Sequence, residues 1–165
     1  MLRFARITLT VLNVANWVVG ILLIVALAYF GMIQPERAAS AAIKTHPELL
    51  ADDVVLAFRL TLLAVPIMIL IVHKLLTSLA AIMDSIPAGN VFSVLNAGRL
   101  RIMAWMMIAL SALDDALGMA LLRLVGPYTG WSFTLTGWLT ALMLFVLAMV
   151  WQQGAELRAD LEGTV

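Results

Sequence analysis

The sequence predicts an all-α membrane protein with four transmembrane helices in an up-down bundle. Hydrophobic residues make up 64% of the chain and charged residues only 12%, whereas a soluble domain is roughly half apolar and a quarter charged. The apolar residues are gathered into four long runs, and a helix of roughly twenty residues crosses a hydrocarbon core about 30 Å thick. Polar connections separate these runs, as expected of a chain that crosses a bilayer repeatedly.

The first two spans are predicted at residues 4–33 and 54–76. The first run is too long for the apolar region of a signal peptide, and no cleavage site follows it promptly, so we expect an uncleaved helix. The outer loop 34–53 joins the two spans, and within it residues 38–42 favour a short surface helix. Pro66 lies inside the second span and is expected to kink it, because proline removes one backbone hydrogen bond.

The third and fourth spans are predicted at residues 100–122 and 131–151. A polar hairpin, residues 84–99, leads into the third span, and Ser93 within it is a suitable N-cap for the helix that follows. After the fourth span, the tail 152–165 is expected to be polar and partly helical. The whole chain is predicted to form a single transmembrane domain.

The distribution of basic residues predicts cytoplasmic N- and C-termini. Lys and Arg near the ends of spans resist translocation, whereas acidic residues contribute little. With both termini inside, six basic residues lie on the cytoplasmic side and three on the outer side. The hairpin and the tail are then both cytoplasmic. The inner set comprises Arg3, Arg6, Lys74, Arg99, Arg101 and Arg158, and the outer set comprises Arg37, Lys44 and Arg123.

Three charged residues fall inside the predicted spans at matching depths, namely Arg59, Asp114 and Asp115. An unpaired charge at the centre of a membrane helix costs about 2.5–3.5 kcal/mol, so we predict an intramembrane ion pair between Arg59 and one of the two aspartates. Ser111 and Gly118 share a helical stripe with the aspartates, which indicates that this face points inward. The pair is either a structural clasp between helices or part of a proton or ion relay.

Polar side chains elsewhere in the spans indicate helix packing. Asn13, Asn16 and Ser111 are expected to form interhelical polar contacts, the usual role of such groups in lipid. His46 and His73 lack the acidic partners and spacing of a metal site, so neither a metal nor a cofactor is expected. The chain has no cysteine, which excludes disulfides and thiolate chemistry, and no catalytic motif is visible.

The hairpin carries the most distinctive residue pattern of the chain. Phe92, Asn96 and Arg99 recur at helical spacing and therefore share one stripe of a short helix. The stripe either contacts a cytoplasmic partner or serves the membrane, with Asn96 tying the preceding loop and arginines holding headgroup phosphates. The tail is expected to pack against the hairpin, since both lie inside. The candidate contact residues are Phe92, Asn96, Arg99, Arg101, Gly154 and Leu157.

Two segments carry a family resemblance. Residues 89–101 read Gly-Asn-Val-Phe-Ser-Val-Leu-Asn-Ala-Gly-Arg-Leu-Arg, and residues 151–165 combine an aromatic, a glycine, a leucine, an acid and a terminal Thr-Val. The first resembles the Gly-x-Pro-Phe-x-x-x-Asn-x-x-Arg-Leu signature of the DUF2975 family of small bacterial membrane proteins, and the second is similar to that family's ending. Val91 replaces the usual proline, and Trp151 stands where phenylalanine is frequent. The resemblance implies a bacterial inner (plasma) membrane location.

These observations favour a non-enzymatic, regulatory membrane protein that binds a cytoplasmic partner through its hairpin and C-terminal tail. Genes of the DUF2975 family often lie beside small helix-turn-helix transcription regulators, so the resemblance implies a partner of that kind. Direct nucleic-acid binding is not expected, because ten basic residues are balanced by ten acidic ones. The alternative is an oligomeric small channel or transporter that uses Arg59, Asp114 and Asp115, and a homo-oligomer is possible in either case.

Overall fold

A computed structural model of the chain describes residues 2–87 and 91–162, and helix is the regular structure throughout these residues. The predicted all-α class is therefore confirmed. Each helix coincides with an apolar run or a polar surface segment recognisable in the sequence. Along the described chain the order is α1 Leu2–Ala28, a π-helical turn Tyr29–Ile33, α2 Pro35–Thr45, α3 Ala51–Ser85, α4 Val94–Val125, a 3-10 turn Gly126–Thr129 and α5 Thr136–Glu162.

Three helical segments are long and apolar enough to cross a membrane, namely Arg3–Ile33, Ala51–Ser85 and Thr136–Asp160. They coincide with the first, second and fourth predicted spans, and their length and composition are those of a membrane protein. α4 covers the predicted third span but is not one of the three. It carries five charged residues, which are Arg99, Arg101, Asp114, Asp115 and Arg123.

The end of α1 is shaped by the proline that follows it. Pro35 occupies the first position of α2, where its missing N–H costs nothing. The preceding turn widens to a π-helical turn, in which the Gln34 N–H donates to the Tyr29 carbonyl oxygen at 2.7 Å. Gly31 in this turn is buried, and a Cβ there would lie 3.3 Å from the Cβ of Phe58. Glycine therefore allows α1 to approach α3 closely.

The helices α3 and α4 contain the predicted second and third spans, and the predicted kink at Pro66 stays a prediction. α3 runs unbroken through Pro66 and continues beyond the predicted span to Ser85. α4 begins at Val94, and the Asn96 N–H donates to the Ser93 hydroxyl at 3.2 Å, so Ser93 is the predicted N-cap.

The start of α5 differs from the prediction. The helix begins at Thr136 rather than at Trp131, because Gly130 adopts the left-handed φ of 63° that ends the 3-10 turn. The Trp131 ring instead packs against Gly118 of α4, where no side chain occupies the space. At the other end α5 continues to Glu162, so the tail is helical over most of its length.

The chain forms two compact units. The first comprises Met1–Val14, Ile71–Ser111 and Leu135–Val165, and the second comprises Ala15–Leu70 and Ala112–Thr134. The core of the first unit contains Ile82, Leu100, Met103 and Ala148, with Leu75, Leu144 and Trp151 packed against it. Buried apolar residues of the second unit include Val54, Ala57, Ala64 and Ile69.

Candidate functional site

Asn96 is the centre of the hairpin between α3 and α4, and its side chain is fully buried with 0% exposure. Its Nδ2 donates to the Ser85 hydroxyl at 2.6 Å and to the Val91 carbonyl oxygen at 2.9 Å, while its Oδ1 accepts from Arg99 Nη1 at 2.9 Å. Asn96 thus ties the end of α3 and the connecting loop to the first turn of α4, as one of the two sequence interpretations held.

Arg99 is half-buried and donates hydrogen bonds to other groups of the chain. Its Nη1 donates to the Ala81 carbonyl oxygen at 2.9 Å as well as to Asn96. A guanidinium close to the C-terminal end of α3 is favourable, because the carbonyl end of a helix carries a partial negative charge. The charge of Arg99 therefore stabilises the junction of α3 and α4.

The C-terminal helix packs against the hairpin, as predicted for the tail. The rings of Phe92 and Trp151 lie with their centroids 5.1 Å apart, and Trp151 Nε1 donates to the Val91 carbonyl oxygen at 2.7 Å. A Cβ at Gly154 would lie 3.1 Å from Phe92 Cδ1, so glycine is what lets the helix approach the ring. We call Ser85, Val91, Phe92, Asn96, Arg99 and Trp151 the hairpin clasp. A further bond, from Arg101 Nη2 to Gln152 Oε1 at 2.8 Å, runs beside it.

The structure corrects the prediction that the contact stripe is an exposed surface for a partner. Asn96 and Arg99 are neighbours on α4, whereas Phe92 precedes that helix and packs against Trp151, and a fully buried Asn96 cannot touch a partner. The apolar side chains that stay exposed are others on the same two segments. They are Val94 at 68%, Leu95 at 69% and the predicted Leu157 at 66%, together with the Phe92 ring at 48%.

The predicted intramembrane ion pair stays a prediction; the ion pairs seen among the described residues include Arg6 with Asp84 and His46 with Glu48. Arg59 Nε donates to the Gly31 carbonyl oxygen at 3.2 Å, and Asp114 Oδ2 accepts from Trp131 Nε1 at 3.4 Å. Asp115 has a partner as well.

The reason for the Arg59 contact lies four residues beyond Gly31. The carbonyl of Gly31 would ordinarily accept a hydrogen bond from the backbone N–H four residues later. That residue is Pro35, which has no N–H. Arg59 supplies the missing donor. A glycine four residues before a proline at the end of an apolar run was a readable sign that this carbonyl needs a donor from elsewhere.

The amides of α1 form interhelical hydrogen bonds, as predicted. Asn16 Nδ2 donates to the Ile69 carbonyl oxygen of α3 at 3.1 Å, and Asn13 Oδ1 lies 2.8 Å from Nδ1 of His73. His73 is therefore a packing partner of Asn13 between α1 and α3. Ser111 lies directly against Gly137 of α5.

A cluster in the loops was missed from the sequence. His46 stacks on Tyr128 with ring centroids 3.7 Å apart, and His46 Nδ1 lies 3.6 Å from Glu48 Oε1. The hydrogen bond from the Tyr128 hydroxyl lowers the pKa of Glu48 and raises the pKa of Tyr128. These residues are about eighty positions apart, and no motif links them.

No protein-family model, curated protein or solved structure matches this chain. The resemblance to the DUF2975 family therefore stays a prediction. Among the described residues, no group of three or more His, Asp or Glu side chains is arranged to hold a metal ion.

Proposed function

We propose that this chain is a non-enzymatic, regulatory protein of the bacterial inner membrane that crosses the bilayer four times, with both termini in the cytoplasm. Three apolar helices and the asymmetry of the basic residues support this topology. The length of α4 supports the remaining crossing, since its 32 residues extend about 48 Å and a hydrocarbon core needs about 30 Å. In this topology the hairpin clasp is cytoplasmic.

The proposed activity is binding of a partner protein through the exposed apolar side chains of the hairpin and the C-terminal helix. We call Val94, Leu95 and Leu157 the docking residues. The observation that carries the proposal is that the hairpin clasp fixes the first turn of α4 while Leu95 beside it is 69% exposed. The docking residues lie outside the predicted spans, and a contiguous patch of exposed apolar side chains in water marks an interaction site.

The resemblance to the DUF2975 family suggests a small helix-turn-helix regulator as the partner. A membrane-held regulator would be kept away from its operators, so binding would change transcription. The alternative of an oligomeric channel or transporter has less support, because Arg59 and Asp114 have other partners.

Site-specific photo-crosslinking in native membranes tests this proposal. A photoreactive phenylalanine analogue at Leu95 or Leu157 is expected to capture the regulator as one discrete band, identified by mass spectrometry. The matched control is the same analogue at Met143, which is equally exposed at 72% but lies in the predicted fourth span. That position should yield lipid adducts and no regulator.

A functional readout accompanies the crosslink. Leu95→Asp should abolish capture and change the transcripts that the regulator controls, while Met143→Leu changes neither. Lipid adducts alone at Leu95 and Leu157, with unaltered transcripts in Leu95→Asp, would show that these side chains serve only the membrane surface.

A further inference from the structure

A charged cavity of about 450 Å³ lies between α2 and the first turns of α3. Arg59 lines it together with two carboxylates, Glu36 and Asp52. Its size is within the range of small-molecule sites, roughly 300–1,000 Å³. The remaining wall is apolar or small and consists of Pro35, Ala39, Ala51, Val55 and Leu56.

The opposite charges around this cavity do not neutralise one another. The ion pairs closer than 4.0 Å that are seen among the described residues, Arg6 with Asp84 and His46 with Glu48, do not involve the charged side chains of this cavity. Arg59, Glu36 and Asp52 line this one cavity without an ion pair seen between them. Opposite charges that line one cavity without pairing can both be bound by a single ligand that carries the two complementary charges.

Arg59 is positioned before any ligand arrives. Its Nε donates to the Gly31 carbonyl oxygen at 3.2 Å, so the π-helical turn orients the guanidinium. Four of its five N–H donors are left by that bond, enough for an oxyanion to bind at two points. Single π-helical turns are rare and occur frequently at functional sites.

We propose that this cavity binds a zwitterion consisting of a primary ammonium and a phosphate. Arg59 receives the anionic group, Glu36 and Asp52 receive the ammonium, and Val55 and Leu56 contact the apolar remainder. This inference is independent of the proposed partner binding, because the cavity and the hairpin clasp share no residue.

Two sources supply this chemistry. The cavity lies where the hydrophilic connection meets the predicted second span, which is the depth of lipid headgroups, so a phosphoethanolamine headgroup can enter it from the bilayer. A soluble phosphoethanolamine ester can enter from the aqueous side. Phosphatidylcholine is the informative comparison, since its quaternary ammonium has no N–H to donate to Glu36 and Asp52.

Native mass spectrometry of the purified full-length protein tests the lipid source. With equal amounts of phosphatidylethanolamine, phosphatidylcholine and phosphatidylglycerol in the micelles, we expect about tenfold preferential retention of phosphatidylethanolamine, as one strong charge-assisted interaction provides. Glycerophosphoethanolamine tests the soluble source, through a rise in the unfolding temperature. Either response supports the proposal and identifies the source, whereas equal retention of the three lipids with no thermal shift overturns it.

Matched variants assign the response to this cavity. Arg59→Gln and Asp52→Asn should each abolish the preference or the shift. Arg37→Gln and Asp53→Asn should retain it, because Arg37 and Asp53 follow the lining residues Glu36 and Asp52 in the sequence but do not line the cavity themselves. If Arg59→Gln fails to fold, the comparison of Asp52→Asn with Asp53→Asn still tests whether this cavity is the binding site. Equal loss in Asp52→Asn and Asp53→Asn would exclude a site at this place.

Discussion

The buried amide of Asn96 connects the end of α3, the loop and the first turn of α4 through hydrogen bonds. It bonds to Ser85, to the Val91 carbonyl and to Arg99, and each of these groups also has a second bond. Ser85 donates to the Ile82 carbonyl, Val91 accepts from Trp151, and Arg99 donates to the Ala81 carbonyl. Losing the amide therefore leaves its partners satisfied, and the cost is limited to the lost bonds and the space vacated.

We expect Asn96→Ala to lower the free energy of unfolding in micelles by about 1.5–4.5 kcal/mol, because three hydrogen bonds of about 0.5–1.5 kcal/mol each are lost. Denaturant titration monitored by far-ultraviolet circular dichroism measures the change. Gln153→Ala, an exposed amide on α5, is the control and should alter stability by less than about 0.5 kcal/mol. Equal effects of the two variants would mean that the hairpin clasp contributes nothing to folding.

Residue spacing could predict which side chains of this site are neighbours on the helix, but not whether they point into the protein. Helical periodicity correctly made Asn96 and Arg99 neighbours, but Phe92 lies before α4 begins at Val94 and is not on a face of that helix. Whether the face of Asn96 and Arg99 points inward depends on Ser85 and Trp151, which are remote in sequence. A single polar stripe next to a membrane span is equally compatible with water, headgroups and a protein interior.

At the level of elements, glycine governs the contact between α1 and α3. A Cβ at Gly20 would overlap the side chain of Ile69, and Asn16 donates to the Ile69 carbonyl one turn away. Gly98 in α4 differs, because a Cβ there meets no atom within 4 Å. The two glycines are therefore a natural pair for separating packing from helix propensity.

We expect Gly20→Leu to destabilise the protein by about 1–3 kcal/mol, because it overfills a close helix contact. Gly98→Leu should be neutral or slightly stabilising, since leucine is the better helix former by about 0.5–1 kcal/mol. Thermal unfolding in micelles gives both values. Similar destabilisation by the two substitutions would show that Gly20 is not a packing position.

Helix positions were predictable from apolar periods and breakers, and their ends were predictable only where a local signal exists. Ser93 provided such a signal for the start of α4. The start of α5 was placed five residues early, since Trp131 extends the apolar run but packs back onto Gly118. The same limitation hid the donor to Gly31, because hydropathy gives no information on which carbonyl a distant Arg59 will reach.

At the level of the whole molecule, the number of crossings decides which surfaces meet the cytoplasm. α1, α3 and α5 are apolar enough to cross a membrane, so the decision rests on α4. Its aspartates argue against crossing, but Asp114 accepts a hydrogen bond from Trp131, which reduces the cost of burying that charge. If α4 crosses, the hairpin and the C-terminal helix lie on the same side of the membrane, an arrangement that agrees with the contact of Phe92 with Trp151.

Single-cysteine labelling tests the topology directly, because the natural chain has no cysteine to remove. With four crossings, Ser40→Cys and Ser132→Cys should react with a membrane-impermeant maleimide on intact cells, while Gln153→Cys should react only after permeabilisation. If α4 does not cross, the last two patterns exchange, since Ser132 then lies inside and Gln153 outside. All three side chains are exposed, so a difference in labelling reports sidedness rather than burial. Labelling of Gln153→Cys on intact cells would refute the cytoplasmic tail and, with it, the proposed cytoplasmic partner.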